Sequence, residues 1–398
     1  MRIGIFTDSY KPYTSGVVTS ITTFREELTQ MGHEVHIFAP SYPHYVDEEP
    51  NVYRFYSVPS PTNNDYTLAI PIYPGLGTLV KHLRLDIIHV HSPMIMGRVG
   101  LRYARKYNIP LVFTYHTRYD QYVHYVPVAQ DLAKEVTLKY SSSFCNHCDH
   151  IIAPSEDICA VIQENEVRKP VTVIPTGIPL QRFEKGDAGW LRANFDIPPE
   201  NKILLFVGRL TKEKNLPFLI ETFRLVKDKL PRTALVLTAQ GPLEDELKGL
   251  CRNLGLGAQD VIFTGAVPYE ELVNVYHSAD LFVFSSLTET QGLVLTEAMA
   301  CGLPVVAVRA SGVQDMVSDG MDGILTELDQ EKMAAAVCRV LSDPELYRQL
   351  HGNALLKAEA MSAHSMALRL ADVYKRLCKS GTYRSNRLLN VSNWFNNY

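Results

Sequence analysis

The sequence predicts an α/β protein with two doubly wound parallel sheets. Short apolar runs alternate with helical stretches in both halves of the chain, which is typical of parallel sheets covered by helices on both faces. In the first half the apolar runs cover residues 3–6, 35–39, 87–90, 111–115, 151–153 and 171–174. After a polar stretch at 182–187 the alternation restarts at 204–207, 234–238, 261–263, 281–284 and 305–307. The 398 residues suffice for two hydrophobic cores.

These patterns divide the chain into a first domain over residues 1–185 and a second over 186–365. From about residue 330 to 379 the pattern is helical. Two doubly wound domains bind ligands at the carboxyl ends of their strands, so the sequence predicts an active site between the domains.

Composition excludes several classes of protein. Hydrophobic residues make up 46% of the chain and the formal net charge is −4, which disfavours nucleic acid as a main partner. The seven cysteines are an odd, scattered set, so reduced thiols are expected. No apolar run approaches the ~18 residues that span a bilayer. We expect a cytoplasmic protein, free or attached to the membrane from that side.

Two carboxylates, Glu289 and Glu297, flank the start of a helix that follows the apolar run at 281–284. Free N–H groups at that start favour an anion such as a diphosphate, so the donor-binding candidates there are Thr290, Gln291, Gly292 and Leu293. Glu289 is then placed to accept sugar hydroxyls and Glu297 a ribose diol. The alternative is that the helix dipole favours Glu289 by ~0.3 to 1 kcal/mol and that Glu297 is solvated. The apolar neighbours of Glu297 favour a buried carboxylate with a polar partner.

Two cations, Arg209 and Lys214, follow the first strand of the second domain. A guanidinium and an ammonium at this point can neutralise the charge of a leaving diphosphate. The alternative is a solvated turn rich in lysine and glutamate. Their position directly after a buried strand favours the functional interpretation.

Four motifs together resemble a known family. They are Glu289 with Glu297 before Ala-Met-Ala-Cys-Gly-Leu-Pro, Gly208-Arg209-Leu210 with Lys214-Asn215, Thr7-Asp8 with Ser15-Gly16-Val17, and Phe113-Thr114-Tyr115-His116-Thr117. In these motifs the chain resembles the retaining GT-B glycosyltransferases of family 4. The resemblance implies the GT-B fold, in which two Rossmann-like domains face an interdomain cleft. It also implies that the last helix, within residues 366–398, crosses back to the first domain.

The same resemblance suggests roles for three further residues. His116 is implied to face the sugar near the anomeric carbon and to act in catalysis with Glu289, Arg209 and Lys214. Gly16 allows close approach of backbone N–H groups to a phosphate, although the family often has two glycines where this chain has Ser15-Gly16. Val267 is a candidate for backbone contact with the nucleotide base. The competing histidines are His89, His91, His124, His147 and His150.

No metal site is expected. The cluster from Cys145 to His150 contains metal-ligand residue types but lacks the second well-spaced pair of a zinc site. The chain also lacks an Asp-x-Asp clamp and a Walker lysine motif. We therefore expect transfer from a nucleotide sugar without a metal or any other cofactor.

The acceptor is predicted from two short stretches, Thr288 to Gly292 and Thr14 to Val17, which are most similar to those of bacterial diacylglycerol glucosyltransferases. This resemblance implies UDP-glucose as donor, a lipid acceptor and a peripheral position on the inner face of the cell membrane. The candidate membrane contacts are Arg98, Arg102, Tyr103, Arg105, Lys106, Tyr107, Tyr119, Tyr122, Tyr125, Val126 and the basic, aromatic tail after Asp372. The alternatives are a soluble relative acting on a sugar, polyol or thiol, a sugar-nucleotide epimerase, and a binding protein without turnover.

Overall fold

The protein divides into two compact units. A computed structural model describes residues 1–60, 66–116 and 130–379, with the backbone alone for 130–134. One unit consists of Met1–Gly177 together with the helix that begins at Ala363, and the other consists of Ile178–Ser362. The boundaries predicted after residues 185 and 365 lie near these divisions.

The strands of the described residues are short. In chain order they are β1 (Arg2–Phe6), β2 (Glu34–Pro40), β3 (Val52–Phe55), β4 (Ser57–Pro59), β5 (Thr67–Ala69), β6 (Ile87–Val90), β7 (Leu111–Thr114), β8 (His150–Ala153), β9 (Val171–Val173), β10 (Lys202–Val207), β11 (Thr233–Thr238), β12 (Val261–Gly265), β13 (Leu281–Phe284), β14 (Val305–Val308) and β15 (Gly323–Thr326).

Helices connect most of these strands. In chain order they are α1 (Gly16–Gln30), α2 (Leu76–Leu83), α3 (Ile95–Tyr107), α4 (Gln130–Cys145), α5 (Glu156–Glu164), α6 (Leu180–Phe183), α7 (Trp190–Phe195), α8 (Leu216–Lys229), α9 (Glu244–Asn253), α10 (Leu272–His277), α11 (Leu293–Ala300), α12 (Val313–Met316), α13 (Gln330–Ser342), α14 (Pro344–Ala360) and α15 (Ala363–Lys379). The 3-10 turn Lys212–Lys214 precedes α8.

The large sheet of the first unit has the strand order β3-β2-β1-β6-β7-β8-β9. All its pairs are parallel. Strands β6 and β7 are buried along their whole length, because helices cover both faces of a parallel sheet and leave no polar side. The strand order reverses between β1 and β6, and ligands of open α/β sheets bind at such a point. Asp8 and His91 follow these two strands.

The sheet of the second unit has the order β12-β11-β10-β13-β14-β15, again with parallel pairs. Its strand order reverses between β10 and β13. Arg209 follows β10, and the loop that carries Glu289 follows β13. The prediction of two doubly wound parallel sheets is therefore confirmed, and each sheet places candidate residues at its switch point.

Two further features complete the first unit. Strands β4 and β5 form an antiparallel hairpin in which Val58 lies opposite Leu68. Helix α15 packs with α1 in one core, where Leu370 and Ala371 are buried in the same cluster as Ile21.

The helices described here include none with the length and apolar character to cross a bilayer. The predicted contacts Tyr119, Tyr122, Tyr125, Val126 and the tail beyond residue 379 lie outside the described residues.

Candidate functional site

The second unit brings Lys214 and Glu289 together. Lys214 ends the 3-10 turn after β10, and its Nζ atom donates a hydrogen bond to Oε1 of Glu289 in the loop after β13. The two side chains are only 18% and 14% exposed. Burial removes hydration from both charges, so the ion pair stabilises each of them. The sequence placed both residues near a donor, but the bond between them was not predicted.

Backbone and hydroxyl contacts hold the two loops of this pair in register. Ser285 Oγ donates to the carbonyl of Lys214 at 2.8 Å, and Ser286 Oγ donates to the carbonyl of Glu213 at 3.3 Å. The backbone N–H of Leu287 donates to the same Glu213 carbonyl at 3.1 Å. Because these bonds do not involve the charged groups, the backbone positions of Lys214 and Glu289 are fixed independently of the ion pair.

Gly312 allows the loop of Glu289 to approach the segment after β14. The backbone N–H of Glu289 donates to the carbonyl of Ser311 at 3.2 Å. Gly312 has a φ of 72°, and a Cβ atom at this position would lie 2.4 Å from the Glu289 carbonyl oxygen. A side chain would thus be strained by its own backbone and would displace the loop.

Helix α11 starts without a side-chain cap. Its N-cap is Gly292, with a φ of 75°, which has no side chain that could cap the first turn. Leu293 is the first helical residue, Gln291 is buried just before the cap, and Thr290 is half-buried. Uncapped N–H groups at a helix start favour an anion. The structure thus agrees with the helix start expected near Gly292, while contacts of these residues to a donor stay a prediction.

Glu297 has a protein partner that the sequence did not reveal. Glu297 is only 8% exposed. The hydroxyl of Tyr276 on α10 donates a hydrogen bond of 2.7 Å to Oε2 of Glu297. Burial raises the pKa of Glu297, and the Tyr276 hydrogen bond and the charge of Arg182 act in the opposite direction. The solvated alternative for Glu297 is therefore wrong. The tyrosine occupies one carboxylate oxygen, and the ribose contact stays a prediction.

Arg209 and Val267 lie at the carboxyl ends of strands of the same sheet. Arg209 follows β10 and is exposed, and within the described part of the chain its guanidinium has no carboxylate partner. Val267 follows β12 and is half-buried. An unpaired arginine at the end of a buried strand is available for an anionic ligand.

Three histidines form a cluster in the first unit. Nδ1 of His91 and Nε2 of His116 are joined by a hydrogen bond of 2.7 Å. The ring centroids of His89 and His91 are 4.2 Å apart. His89 Nδ1 forms a hydrogen bond of 2.6 Å with the Tyr374 hydroxyl, and His89 Nε2 forms one of 2.7 Å with Thr114 Oγ1. Two of the competing candidates therefore belong to the surroundings of His116.

Burial keeps these imidazoles neutral. It lowers the pKa of His116 to about 4 and that of His89 to about 3, with the nearby His116 adding to the effect on His89. The pKa of His91 is lowered for the same reasons, by burial first and then by its two neighbours. A neutral imidazole has one N–H donor and one acceptor nitrogen.

The unpartnered nitrogen of His91 decides which way the hydrogen bond runs. His91 Nε2 is buried and has no hydrogen-bond partner in the described structure. A buried N–H without an acceptor is costly and rare, so the proton of His91 belongs on Nδ1. His91 then donates to Nε2 of His116, and the proton of His116 lies on Nδ1. His116 therefore offers an N–H donor through its other nitrogen.

Other polar residues of the first unit have structural partners. Asp8 Oδ1 accepts from the backbone N–H of Met96 at 3.0 Å, and burial raises the pKa of Asp8. Ser15 caps α1 by accepting from the backbone N–H of Val18, and Gly16 is the exposed first residue of that helix. The phosphate contact of Gly16 stays a prediction.

The remaining histidine and cysteine candidates have local bonds. His147 Nδ1 bonds to the Ser143 carbonyl and His150 Nε2 to Thr172 Oγ1, while His124 lies outside the described residues. Cys145 and Cys148 are buried free thiols, and burial raises the pKa of Cys145 to about 12. No group of three or more ligating side chains suited to a metal ion was found where side chains are described.

Sequence comparison places this site in a family. Residues 14–182 match the model of Glycosyltransferase Family 4, and residues 161–356 match that of Glycosyl transferases group 1. A relative from Streptococcus pneumoniae, alpha-monoglucosyldiacylglycerol synthase, is 32% identical over 94% of this chain and 85% of its own length. The chain belongs to glycosyltransferase family 4.

Two further relatives and two solved structures resemble this glycosyltransferase. The synthase of the same name from Acholeplasma laidlawii is 29% identical over 97% of this chain and 100% of its own. A GDP-mannose-dependent alpha-mannosyltransferase from Corynebacterium glutamicum is 29% identical, covering 86% and 81% of the two chains. Sucrose-phosphate synthase from Thermosynechococcus elongatus superposes with a TM-score of 0.75 at 24% identity, covering 94% and 98%. HepE from Anabaena superposes with a TM-score of 0.76 at 19% sequence identity, and the match covers 94% of this chain and 100% of HepE. The predicted GT-B fold is confirmed.

Proposed function

We propose that this family-4 glycosyltransferase moves glucose from UDP-glucose to the free hydroxyl of 1,2-diacylglycerol, forming an α-glucosyl lipid with retention of configuration. The observation that carries the proposal is that two relatives matching at least 94% of this chain are both named alpha-monoglucosyldiacylglycerol synthase. The enzyme works at the inner face of the cell membrane as a peripheral protein, because its acceptor is confined to the bilayer.

The arrangement of the second unit supports a nucleotide diphosphate as the donor's leaving group. Arg209 has no carboxylate partner among the described residues, the backbone of Lys214 is held by Ser285, and α11 begins at a glycine that has no side chain to cap it. Arg209 and the positive end of the α11 dipole therefore attract an anion at this switch point, and Lys214 can turn from Glu289 to join them. HepE, which has the same fold, has been solved in complex with UDP.

In the proposed reaction the acceptor oxygen bonds to the anomeric carbon while the bond from that carbon to the diphosphate breaks. Arg209 and Lys214 stabilise the negative charge that develops on the diphosphate, which takes up the proton of the acceptor hydroxyl. The acceptor attacks from the face that the diphosphate leaves, so configuration is retained. No bound metal or further cofactor takes part in this scheme.

Glu289 and His116 orient the sugar. When Lys214 turns to the diphosphate, Glu289 is freed to accept hydrogen bonds from sugar hydroxyls. His116, which is neutral and protonated on Nδ1, donates to a sugar oxygen and does not act as a base. Both residues therefore contribute positioning and charge, which suits a reaction without a covalent intermediate.

A soluble acceptor is the second candidate. A D-inositol 3-phosphate glycosyltransferase from Streptosporangium roseum is 31% identical over 73% of this chain and 69% of its own length. Its acceptor, as named, is not a lipid. Relatives of similar identity therefore carry names with different acceptors, and a few hydrogen bonds in an acceptor site are enough to decide between acceptors.

The test uses radiolabelled UDP-glucose and the purified enzyme with vesicles of diacylglycerol and phosphatidylglycerol. Label is expected in the organic phase, with an α-anomeric proton signal in the NMR spectrum of the product and unchanged rates in EDTA. Glu289→Gln should lose the activity, while Glu246→Gln on the exposed side of α9 should keep it. UDP release with inositol phosphate or free sugars, and none with diacylglycerol, would replace the lipid acceptor by a soluble one.

A further inference from the structure

Arg182 lies over an aromatic ring in the second unit. It belongs to the short helix α6, and its guanidinium carbon is 3.5 Å from the centroid of the Tyr269 ring. Tyr269 follows β12, two residues after the candidate base contact Val267, and is 37% exposed. A guanidinium over an aromatic face is held there by cation–π attraction. The ring of Tyr269 therefore fixes the position of the Arg182 charge.

Arg182 acts on Glu297 without forming an ion pair with it. Burial raises the pKa of Glu297, and the Tyr276 hydrogen bond and the charge of Arg182 oppose that effect. Among the residues that the structure describes, Arg182 has no carboxylate partner within ion-pair distance. An arginine that pairs with a carboxylate often forms two parallel hydrogen bonds, which occupy both of its oxygens. The contact with Tyr269 holds Arg182 back from such a pair.

The backbone of α6 is held against α10 and α11. The carbonyl of Phe183, the residue after Arg182, accepts hydrogen bonds from His277 Nε2 at 2.9 Å and from Cys301 Sγ at 3.8 Å. His277 ends α10, and Cys301 follows α11 directly. The rings of Phe183 and Tyr276 pack edge to face, with their centroids 6.1 Å apart. Helix α6 therefore carries the guanidinium at a fixed place beside α11.

The two carboxylate oxygens of Glu297 have different surroundings. Oε2 accepts the hydrogen bond of the Tyr276 hydroxyl, whereas Oε1 bonds to none of the described residues. A proton on Glu297 would therefore lie on Oε1, because Oε2 already faces a donor. A protonated Oε1 presents an O–H donor, while an ionised Oε1 accepts hydrogen bonds from both hydroxyls of a diol. The ionised form thus fits a ribose, and positive charge nearby favours that form.

We propose that Arg182 and Tyr269 are positioning residues for the ribose of the donor. The ring holds the guanidinium beside Glu297 without an ion pair, so Oε1 stays ionised and open to the ribose diol. A direct pair would supply the same charge but would occupy the oxygen that the diol needs. This inference rests on the nucleotide-sugar donor of the proposed function and deepens it, because it names two residues that act on the donor through Glu297.

Binding of UDP and of 2′,3′-dideoxy-UDP to the full chain tests this role, because the second ligand lacks the diol. In calorimetry the wild type should bind UDP more tightly. Arg182→Met should weaken UDP binding about 10-fold, since hydrogen bonds from the diol to a charged group are weakened, and dideoxy-UDP binding by less than about twofold. The matched control Lys185→Met removes an exposed cation three residues further on and should bind both ligands like the wild type.

Two variants of Tyr269 test the contribution of the ring. Tyr269→Leu removes the aromatic face and should weaken UDP more than dideoxy-UDP, as Arg182→Met does. Tyr269→Phe keeps the face and should bind both ligands like the wild type. Because Tyr269 is partly exposed, both changes lie outside the hydrophobic core, and thermal unfolding shows whether each variant keeps its fold.

A double variant tests whether Arg182 acts through Glu297. Glu297→Gln should itself lose most of the preference for UDP over dideoxy-UDP. Addition of Arg182→Met to this variant should then weaken UDP binding no further, since no carboxylate charge is left for Arg182 to stabilise. A purely structural effect of Arg182 would instead persist in the double variant.

Three outcomes would overturn the assignment. The first is an equal loss of UDP and dideoxy-UDP binding in a folded Arg182→Met protein, because Arg182 would then contact another part of the nucleotide. The second is an additive loss in the double variant, and the third is wild-type binding by Tyr269→Leu.

The same measurements separate this role from the proposed function. Diol-dependent UDP binding without transfer of glucose would refute the proposed function and support the role of Arg182 and Tyr269. A wild type that binds GDP in place of UDP would make the proposed donor wrong. GDP and 2′,3′-dideoxy-GDP would then give the same comparison, with the same outcomes for and against the assignment.

Discussion

Replacement of Lys214 by methionine removes the charge partner of Glu289 and keeps a side chain of similar length. In the proposed reaction Lys214 leaves Glu289 and binds the leaving diphosphate, and a hydrogen bond between charged groups contributes about 1.5 to 3 kcal/mol. The Lys214 side chain is only 18% exposed, so water weakens this interaction only in part. If all of it acts on the transition state, kcat/KM falls about 10- to 150-fold.

The assay is UDP release from UDP-glucose in the presence of diacylglycerol vesicles, with Lys212→Met as the matched control. Lys212 lies in the same 3-10 turn, but its side chain is exposed. Glu289→Gln and the double variant complete a cycle. Because Lys214 and Glu289 are in contact, the double variant should lose less than the sum of the single losses.

A Lys214→Met enzyme within twofold of wild type would refute the reasoning. So would an equal loss in Lys212→Met, because the effect would then follow from the net charge of the turn. Full additivity of the two single losses would show that Lys214 and Glu289 act on the donor independently and that their ion pair is incidental.

Three further predictions concern stability, pH and the histidine cluster. Gly312→Ala should lower the free energy of unfolding by about 2 to 3 kcal/mol, and Gly320→Ala by about 1 kcal/mol. Both glycines have a φ near 75°, but only at Gly312 would the added Cβ atom contact backbone atoms. Equal losses of stability in thermal unfolding would contradict this prediction. Burial raises the pKa of Glu297, so the stability it contributes is lost as pH rises through that pKa. Glu297→Gln should therefore gain stability over wild type at pH 8 relative to pH 4, and a pH-independent difference would argue against it. His91→Asn keeps a donor for His116 and should retain kcat, whereas His91→Asp should lose it; nitrogen NMR showing His116 protonated on Nε2 would refute the tautomer.

Sequence patterns predict the alternating strands and helices of the two parallel sheets. The alternation of buried strands and helices is read directly from apolar periodicity, and strand ends at a switch point collect ligand-binding residues. Arg209, Lys214 and Glu289 were found in this way because each follows a strand. The contact between Lys214 and Glu289 depends on the adjacency of β10 and β13, which the chain order alone does not state.

Residues that act through contacts between different elements were missed for a physical reason. Tyr276 lies in an apolar helical stretch and has no marker of its bond to Glu297, which arises from the packing of α10 and α11. His89 and His91 offered a signal that was not used. Residues two apart on a strand face the same side, so both could have been predicted to lie beside each other near His116.

The position of α15 has a consequence for how the protein is made. Tyr374 on this last helix supplies the hydroxyl that bonds to His89 on β6, at the centre of the first sheet. The first unit is thus discontinuous along the chain, whereas the second unit, Ile178–Ser362, is continuous. On the ribosome the second unit has all its residues before the first is complete. Until synthesis passes residue 374, α15 cannot cover the apolar surface of α1 or bond to the ring nitrogen of His89. N-terminal domains usually finish folding first, so this chain reverses the usual order.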